Sequence, residues 1–293
     1  MVRLRFVMLL PFALLVGFCG GSPSASEETT PSRFSSVEEL EEAALGKDVP
    51  YVPTAQPTVD EMLRMARVSS NDVVYDLGSG DGRIVITAAA VYGARGVGIE
   101  IDPKRIREAE QNARAAGVSE RVEFIRRDLF TADLTEATAV TLYLLPEVNV
   151  RLRPRLLEQL RPGTPVVSHD FSMGDWEADE RRVVGADIIY LWIVPAKVEG
   201  RWSWTGPDGR PRSANLEQRY QALSGSAESG GRPLAVRGGR LDGPRIAFEL
   251  ATGRSSAAEL VERYGGTVEG DRIRGWMEPA GGSRSEWVAQ RGE

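Results

Sequence analysis

The chain has 293 residues, 42% of them hydrophobic, and 42 acidic against 36 basic side chains give a net charge of -6. That is enough apolar material for one large or two modest globular domains. The charge balance lacks the electrostatic footprint of a nucleic-acid binder, so no nucleic-acid partner is expected, and a single cysteine excludes an intrachain disulfide.

At the amino terminus, Arg3 and Arg5 precede the apolar run Phe6 to Phe18. About a dozen apolar residues is short for a spanning helix and matches the hydrophobic region of a signal peptide. Small residues from Gly20 to Ser26 follow, so residues 1–26 read as a signal peptide or membrane anchor with a flexible tether. This places the protein in the cell envelope, exported or membrane-anchored. The setting of Cys19 resembles a lipoprotein box except at Phe18, where a small residue is expected. The acidic stretch from Glu27 to Asp48 has a helical pattern, Pro50-Tyr51-Val52-Pro53-Thr54 reads as extended, and Thr58 to Val68 repeats apolar residues at helical spacing.

The centre of the chain is Val73-Val-Tyr-Asp-Leu-Gly-Ser-Gly-Asp-Gly-Arg-Ile-Val85, which reads as a buried strand, a glycine turn and the start of a helix. A dinucleotide fold wants its third glycine five residues after the first, and that position is Arg83. Asp76 and Asp81 repel a pyrophosphate and tolerate a cationic ligand. Further strands are expected at Gly96 to Ile101, Val122 to Ile125, Ala139 to Leu144 and Pro165 to Ser168, with helices at Lys104 to Ala116 and Arg151 to Leu160. Val183 to Val194 supplies the far edge. This alternation implies a doubly wound, mostly parallel α/β sheet of seven strands. Strand ends at Asp76, Glu100, Asp128, Pro146 and His169 then gather along one edge, where open sheets bind ligands. Glu100, about twenty residues past the turn, is placed to accept both hydroxyls of a ribose, and Asp102 before Pro103 reads as a helix cap. After Ala196, Asp-Gly and Gly-Asp punctuation between alternating runs reads as a small antiparallel β domain, a roll or partial barrel. Trp202, Trp204, Trp276 and Trp287 are expected in its core. The domains are therefore 27–196 and 197–293.

The short acidic form Asp76-Leu-Gly-Ser-Gly-Asp-Gly82 resembles motif I of class I (seven-β-strand) methyltransferases dependent on S-adenosylmethionine (SAM). With Pro50-Tyr51-Val52-Pro53 before it and Asp128-Leu129 after it, residues 48 to 195 resemble the protein-lysine methyltransferases that include the ATP synthase c-subunit and adenine nucleotide translocase enzymes. The resemblance implies SAM as cofactor, held by Tyr51, Thr54, Asp76, Gly78, Ser79, Gly80, Gly82, Glu100, Ile101, Asp128 and Leu129, with no metal. It implies a lysine side chain of a membrane or envelope protein as acceptor. An acceptor amine must lose a proton, and Tyr143, Glu147, His169 and Asp170 are the candidate catalytic residues. The β domain departs from that family. Two rivals are a non-catalytic envelope module whose β domain binds a partner, favoured by export away from a SAM supply, and an NAD-dependent oxidoreductase.

Overall fold

The computed structural model describes residues 52–206, 208–253 and 259–292. The segment 1–26, the acidic stretch to Asp48 and Tyr51 lie outside the described residues. Among the described residues no helix is long and apolar enough to cross a membrane.

Helix α1 (Gln56–Met65) starts with Pro57 in its first turn and buries Val59, Met62 and Leu63 at helical spacing. Strand β1 (Val73–Leu77) leads through the glycine turn into α2 (Arg83–Tyr92). β2 (Arg95–Glu100), α3 (Pro103–Ala115), β3 (Val122–Arg126), β4 (Ala139–Leu142), α4 (Pro146–Gln159), β5 (Pro165–His169), β6 (Glu180–Val184) and β7 (Asp187–Ile193) follow. Asp102 caps α3 as expected, its Oδ1 accepting the Lys104 N–H at 2.7 Å with Pro103 at the first helical position.

The sheet order is β3-β2-β1-β4-β5-β7-β6. The first five strands run parallel, and β7 pairs antiparallel with both β5 and β6. Alternation along the strands sends Val74, Ala139, Val167, Ile189 and Leu191 to the α1 and α2 face. Tyr75, Leu77, Val140, Leu142 and Val166 go to the α4 face.

Two readings need correction here. The helix expected from Arg151 to Leu160 begins five residues earlier: Pro146 opens α4, which runs through Pro154 to Gln159. A proline suits the first helical position, and Pro154 in the interior costs one helical hydrogen bond, which the burial of Leu152 and Leu156 offsets. The β domain is a closed barrel rather than a partial one. β8 (Gly200–Thr205), β9 (Pro211–Arg219), β10 (Ala222–Ser229), β11 (Arg232–Asp242), β12 (Arg245–Ala251), β13 (Leu260–Glu269), β14 (Arg272–Pro279) and β15 (Ser285–Arg291) pair antiparallel in the ring β10-β11-β12-β13-β14-β15-β8-β9. Its interior is filled by Trp202, Trp204, Phe248, Tyr264 and Trp287. Trp276 is only half-buried and stacks under Arg284 at 4.0 Å.

The described residues form one compact unit, and the barrel seals the sheet rather than hanging from it. No helix connects β5 to β6, so residues 170–179 leave the α4 face to be covered from elsewhere. The β9–β10 hairpin covers it: Tyr220 stacks on Trp176 at 5.8 Å, and Gln221 accepts the indole N–H of Trp176 at 2.8 Å. The Asp179 carboxylate accepts from Gln221 at 2.8 Å and from Arg240 at 2.9 Å, while Trp192 donates to the Trp176 carbonyl.

Candidate active site

Gly78, Gly80 and Gly82 all have positive φ, at 83°, 52° and 78°, which is the region that favours residues without a Cβ. A Cβ on Gly82 would also stand 2.6 Å from the Phe124 ring. The turn hangs from β2 through the N–H groups of Gly78 and Ser79, which both donate to the Ile99 carbonyl. Gly98 on β2 lets it approach, since a Cβ there would lie 2.5 Å from Ser79 Oγ. Glu100 faces this turn. Its Oε2 accepts the Gly80 N–H at 2.9 Å, and its Oε1 accepts those of Ile101 and Asp102 at 2.8 and 2.9 Å.

Asp76 is buried, with Oδ1 accepting the Thr141 hydroxyl at 2.8 Å across the β1–β4 pair. Burial, reinforced by the charges of Glu100 and Asp81, raises its pKa to about 7 despite the Thr141 bond. Asp81 does not carry free charge toward a ligand: Arg83 clamps both its oxygens and reaches the Thr54 carbonyl at 2.7 Å. The reading that both aspartates discriminate against pyrophosphate therefore narrows to Asp76 and Glu100. Ile101 is exposed at the end of β2. At the end of β3, Asp128 caps a single turn by accepting the Phe130 N–H at 2.9 Å, and Leu129 is half-buried against the sheet.

A second group lies at the ends of β4 and β5. The Tyr143 ring stacks on His169 with centroids 3.8 Å apart. His169 is 3% exposed, and its Nδ1 meets Thr54 Oγ1 at 3.1 Å. Its Nε2 lies 3.4 Å from Asp170 Oδ2 and 3.3 Å from Asp187 Oδ2, without hydrogen-bond geometry to either. Burial lowers the His169 pKa against the opposing pull of the two carboxylates. Burial, with Asp170 and Asp187 beside it, pushes Tyr143 up to about 12, which keeps the phenol protonated at neutral pH. Asp170 itself holds positive φ (59°), fixed by exchanging hydrogen bonds with Ile188. Glu147 is set apart from these buried groups, in the exposed first turn of α4.

Sequence reasoning missed Asp187, which joins His169 only because β7 runs antiparallel beside β5. It also missed Asn149, fully buried on α4 and donating to Ser168 Oγ at 3.1 Å. Its position, three residues before Leu152 on the buried stripe of α4, was the available signal.

The family model of the ANTKMT methyltransferase domain matches residues 76–180. A protein-lysine N-methyltransferase of Saccharolobus islandicus is 49% identical over 151 residues, 50% of this chain and 94% of the relative. The chain belongs to this protein-lysine methyltransferase family. The lysine N-methyltransferase of the ATP synthase c-subunit from mouse is 30% identical over 193 residues, 64% of this chain and 74% of its own. An RNA methyltransferase of Salinibacter ruber, solved with S-adenosylhomocysteine, is 60% identical and covers 50% of this chain and 96% of its own, with a TM-score of 0.50.

This family member is a SAM-dependent methyltransferase, which removes the oxidoreductase and non-catalytic rivals. The turn fits that cofactor on its own chemistry. Glycines clear the approach, carboxylates border it, and Arg83, the nearby guanidinium, is bound by Asp81. The pKa of Asp76 gives a test. A cationic ligand favours the ionised carboxyl, so SAM affinity should rise as pH goes from 5.5 through about 7, the folded value. Asp76→Asn should flatten that rise in calorimetric titrations. The same raised pKa makes the folded chain hold a proton that the unfolded chain has released, so stability falls as pH climbs from about 4 to about 7. Asp76→Asn should therefore raise the melting temperature of the cofactor-free protein at pH 8.

Proposed function

We propose that the acceptor is a lysine side chain, on a protein of the membrane or cell envelope. The observation that carries the lysine reading is the wall formed by Tyr143, His169, Asp170 and Asp187, an aromatic face flanked by two carboxylates. Such a wall attracts an alkylammonium group and repels a phosphate backbone. The relatives named for protein-lysine methylation support it, and so does the net charge of -6. The envelope setting rests on the apolar run Phe6 to Phe18 and on the ATP synthase component for which the mouse relative is named.

SAM supplies an activated methyl group, and Asp76, Gly78, Ser79, Gly80, Gly82, Glu100, Ile101, Asp128 and Leu129 are the residues proposed to hold it, with Thr54 closing the near side. On the acceptor side, the Asp170 and Asp187 carboxylates hold the incoming ammonium. His169 Nε2, kept neutral by burial, takes its proton. Tyr143 stays a neutral phenol and orients the amine. Glu147, on the rim, adds negative charge where a cationic substrate arrives.

A second reading, RNA as acceptor, is favoured by the 60% identity to the Salinibacter ruber enzyme. One experiment separates them. The protein is incubated with methyl-labelled SAM, a membrane and envelope protein fraction and total RNA. Label is expected on lysine in a membrane protein, identified by mass spectrometry, and abolished in His169→Ala. Label recovered in nuclease-sensitive material overturns the lysine reading.

A further inference from the structure

The geometry points to a divalent metal site made by His169 Nε2, Asp170 Oδ2 and Asp187 Oδ2, taking a first-row cation such as Zn²⁺. No sequence pattern signals it, because one carboxylate follows the end of β5 and the other opens β7, with no metal-binding spacing between them.

Four observations build the site. First, the three ligand atoms lie within 4.8 Å of one another. Metal bonds of about 2.0–2.1 Å at a tetrahedral angle place ligand atoms about 3.3–3.4 Å apart. His169 Nε2 stands 3.3 Å from one carboxylate oxygen and 3.4 Å from the other. Second, Nε2 is an unpartnered atom on a histidine that is 3% exposed, and it is aimed between two anions. A buried polar atom without a partner is costly, and a cation between the three groups removes that cost.

Third, every ligating side chain has an anchoring partner, which for Asp187 bonds the ligand oxygen itself and leaves that oxygen a second lone pair. Thr54 Oγ1 stands 3.1 Å from Nδ1, where it can accept an N–H and leave the Nε2 lone pair facing the carboxylates. The Ile188 N–H holds Asp170 Oδ1 at 2.8 Å, and the Thr58 hydroxyl holds Asp187 Oδ2 at 2.6 Å. Such outer partners orient metal ligands. Fourth, Asp170 keeps a left-handed backbone (φ 59°), unusual for a residue other than glycine, and this conformation presents its second oxygen to Nε2. One nitrogen and two carboxylate oxygens suit Zn²⁺, Co²⁺, Mn²⁺ or Fe²⁺.

Metal binding stands on this geometry alone. Its effect on turnover rests on the lysine reading: a dication on Asp170 and Asp187 displaces the acceptor ammonium, so bound metal acts as an inhibitor competing with the acceptor.

His169 is the sole histidine of the chain, so any imidazole signal can be assigned without mutagenesis. The full-length protein, purified without a histidine tag, is titrated with ZnCl₂ while the ¹⁵N imidazole resonances are recorded. A saturable shift of Nε2, with Nδ1 remaining protonated, is expected. A second titration with CoCl₂ should give visible absorption that saturates at one equivalent. Both responses should vanish in His169→Gln and weaken at least about tenfold in Asp187→Asn, with circular dichroism confirming that each variant folds. An Nε2 resonance unmoved by either metal in the wild-type protein overturns the site, as does cobalt absorption of equal strength in His169→Gln. Kinetics form a separate arm: Zn²⁺ should raise the KM for the acceptor and leave SAM affinity unchanged. Saturable binding to His169 without that KM rise keeps the metal site and removes the acceptor wall.

Discussion

Glu100→Gln is expected to weaken SAM binding by about 30-fold or more in calorimetric titration, nearly as much as Glu100→Ala. The reason is that both carboxylate oxygens already accept N–H groups, Oε2 from Gly80 and Oε1 from Ile101 and Asp102. A glutamine has one acceptor oxygen, so whichever way its amide is turned, an NH₂ group faces a backbone donor. In the less costly orientation the amide oxygen keeps Ile101 and Asp102 while the NH₂ faces the Gly80 N–H, and losing that charge-assisted bond with a donor set against a donor costs about 2 kcal/mol, which is about 30-fold in affinity. The substitution strains the glycine turn and takes away one of the two oxygens proposed to meet the ribose. Affinity within about threefold of wild type for Glu100→Gln would show that this carboxylate only braces the turn.

Ending the chain after Ala196 is expected to lower the melting temperature of the remaining methyltransferase half by about 6–12 °C, or to leave it insoluble. Trp176 is 1% exposed, and its cover includes Tyr220 and Gln221 of the barrel. Re-exposing about 100 Å² of that ring costs about 2.5 kcal/mol. Asp179 also loses Gln221 and Arg240, bringing the total to about 3 kcal/mol, at about 2–4 °C per kcal/mol for a domain of this size. The Saccharolobus islandicus relative is matched over 94% of its length by 151 residues here, so it has no room for such a barrel. Dependence on the barrel is therefore a property of this chain, carried by Trp176 and the helix-free passage from β5 to β6. Equal melting curves for the shortened and full-length proteins would sink the idea.

The glycine-turn half of the candidate site was legible because it is local. Asp76, the three glycines and Glu100 sit within 25 residues of sequence, and each residue type answers a backbone demand visible in the spacing. The acceptor half was legible only in part. His169 and Asp170 end a recognisable strand, but Asp187 reaches them through the antiparallel pairing of β7 with β5, a long-range choice no local pattern encodes. Glu147 stands apart from these buried groups for another reason. Its neighbour Pro146 lies before the helix expected from Arg151, although proline suits the first turn of a helix, which is where it stands. Hairpin punctuation showed the barrel strands, while closure depends on β8 meeting β15 almost 90 residues later, a non-local contact that short-range alternation does not reveal.

That last pairing is brief, two residue pairs, Gln290 with Ser203 and Arg291 with Trp202. Arg291 latches it by stacking over Trp202 at 4.6 Å and donating to the carbonyls of Lys197 and Glu199. On the ribosome the sheet half can complete its seven strands once Ile193 has emerged, but the ring stays open until Arg291 does. During that interval the nascent chain offers the unpaired edges of β8 and β14 to its surroundings. Chaperone demand during synthesis should therefore fall on the barrel strands, and a lesion at Arg291 should act on yield before it acts on turnover.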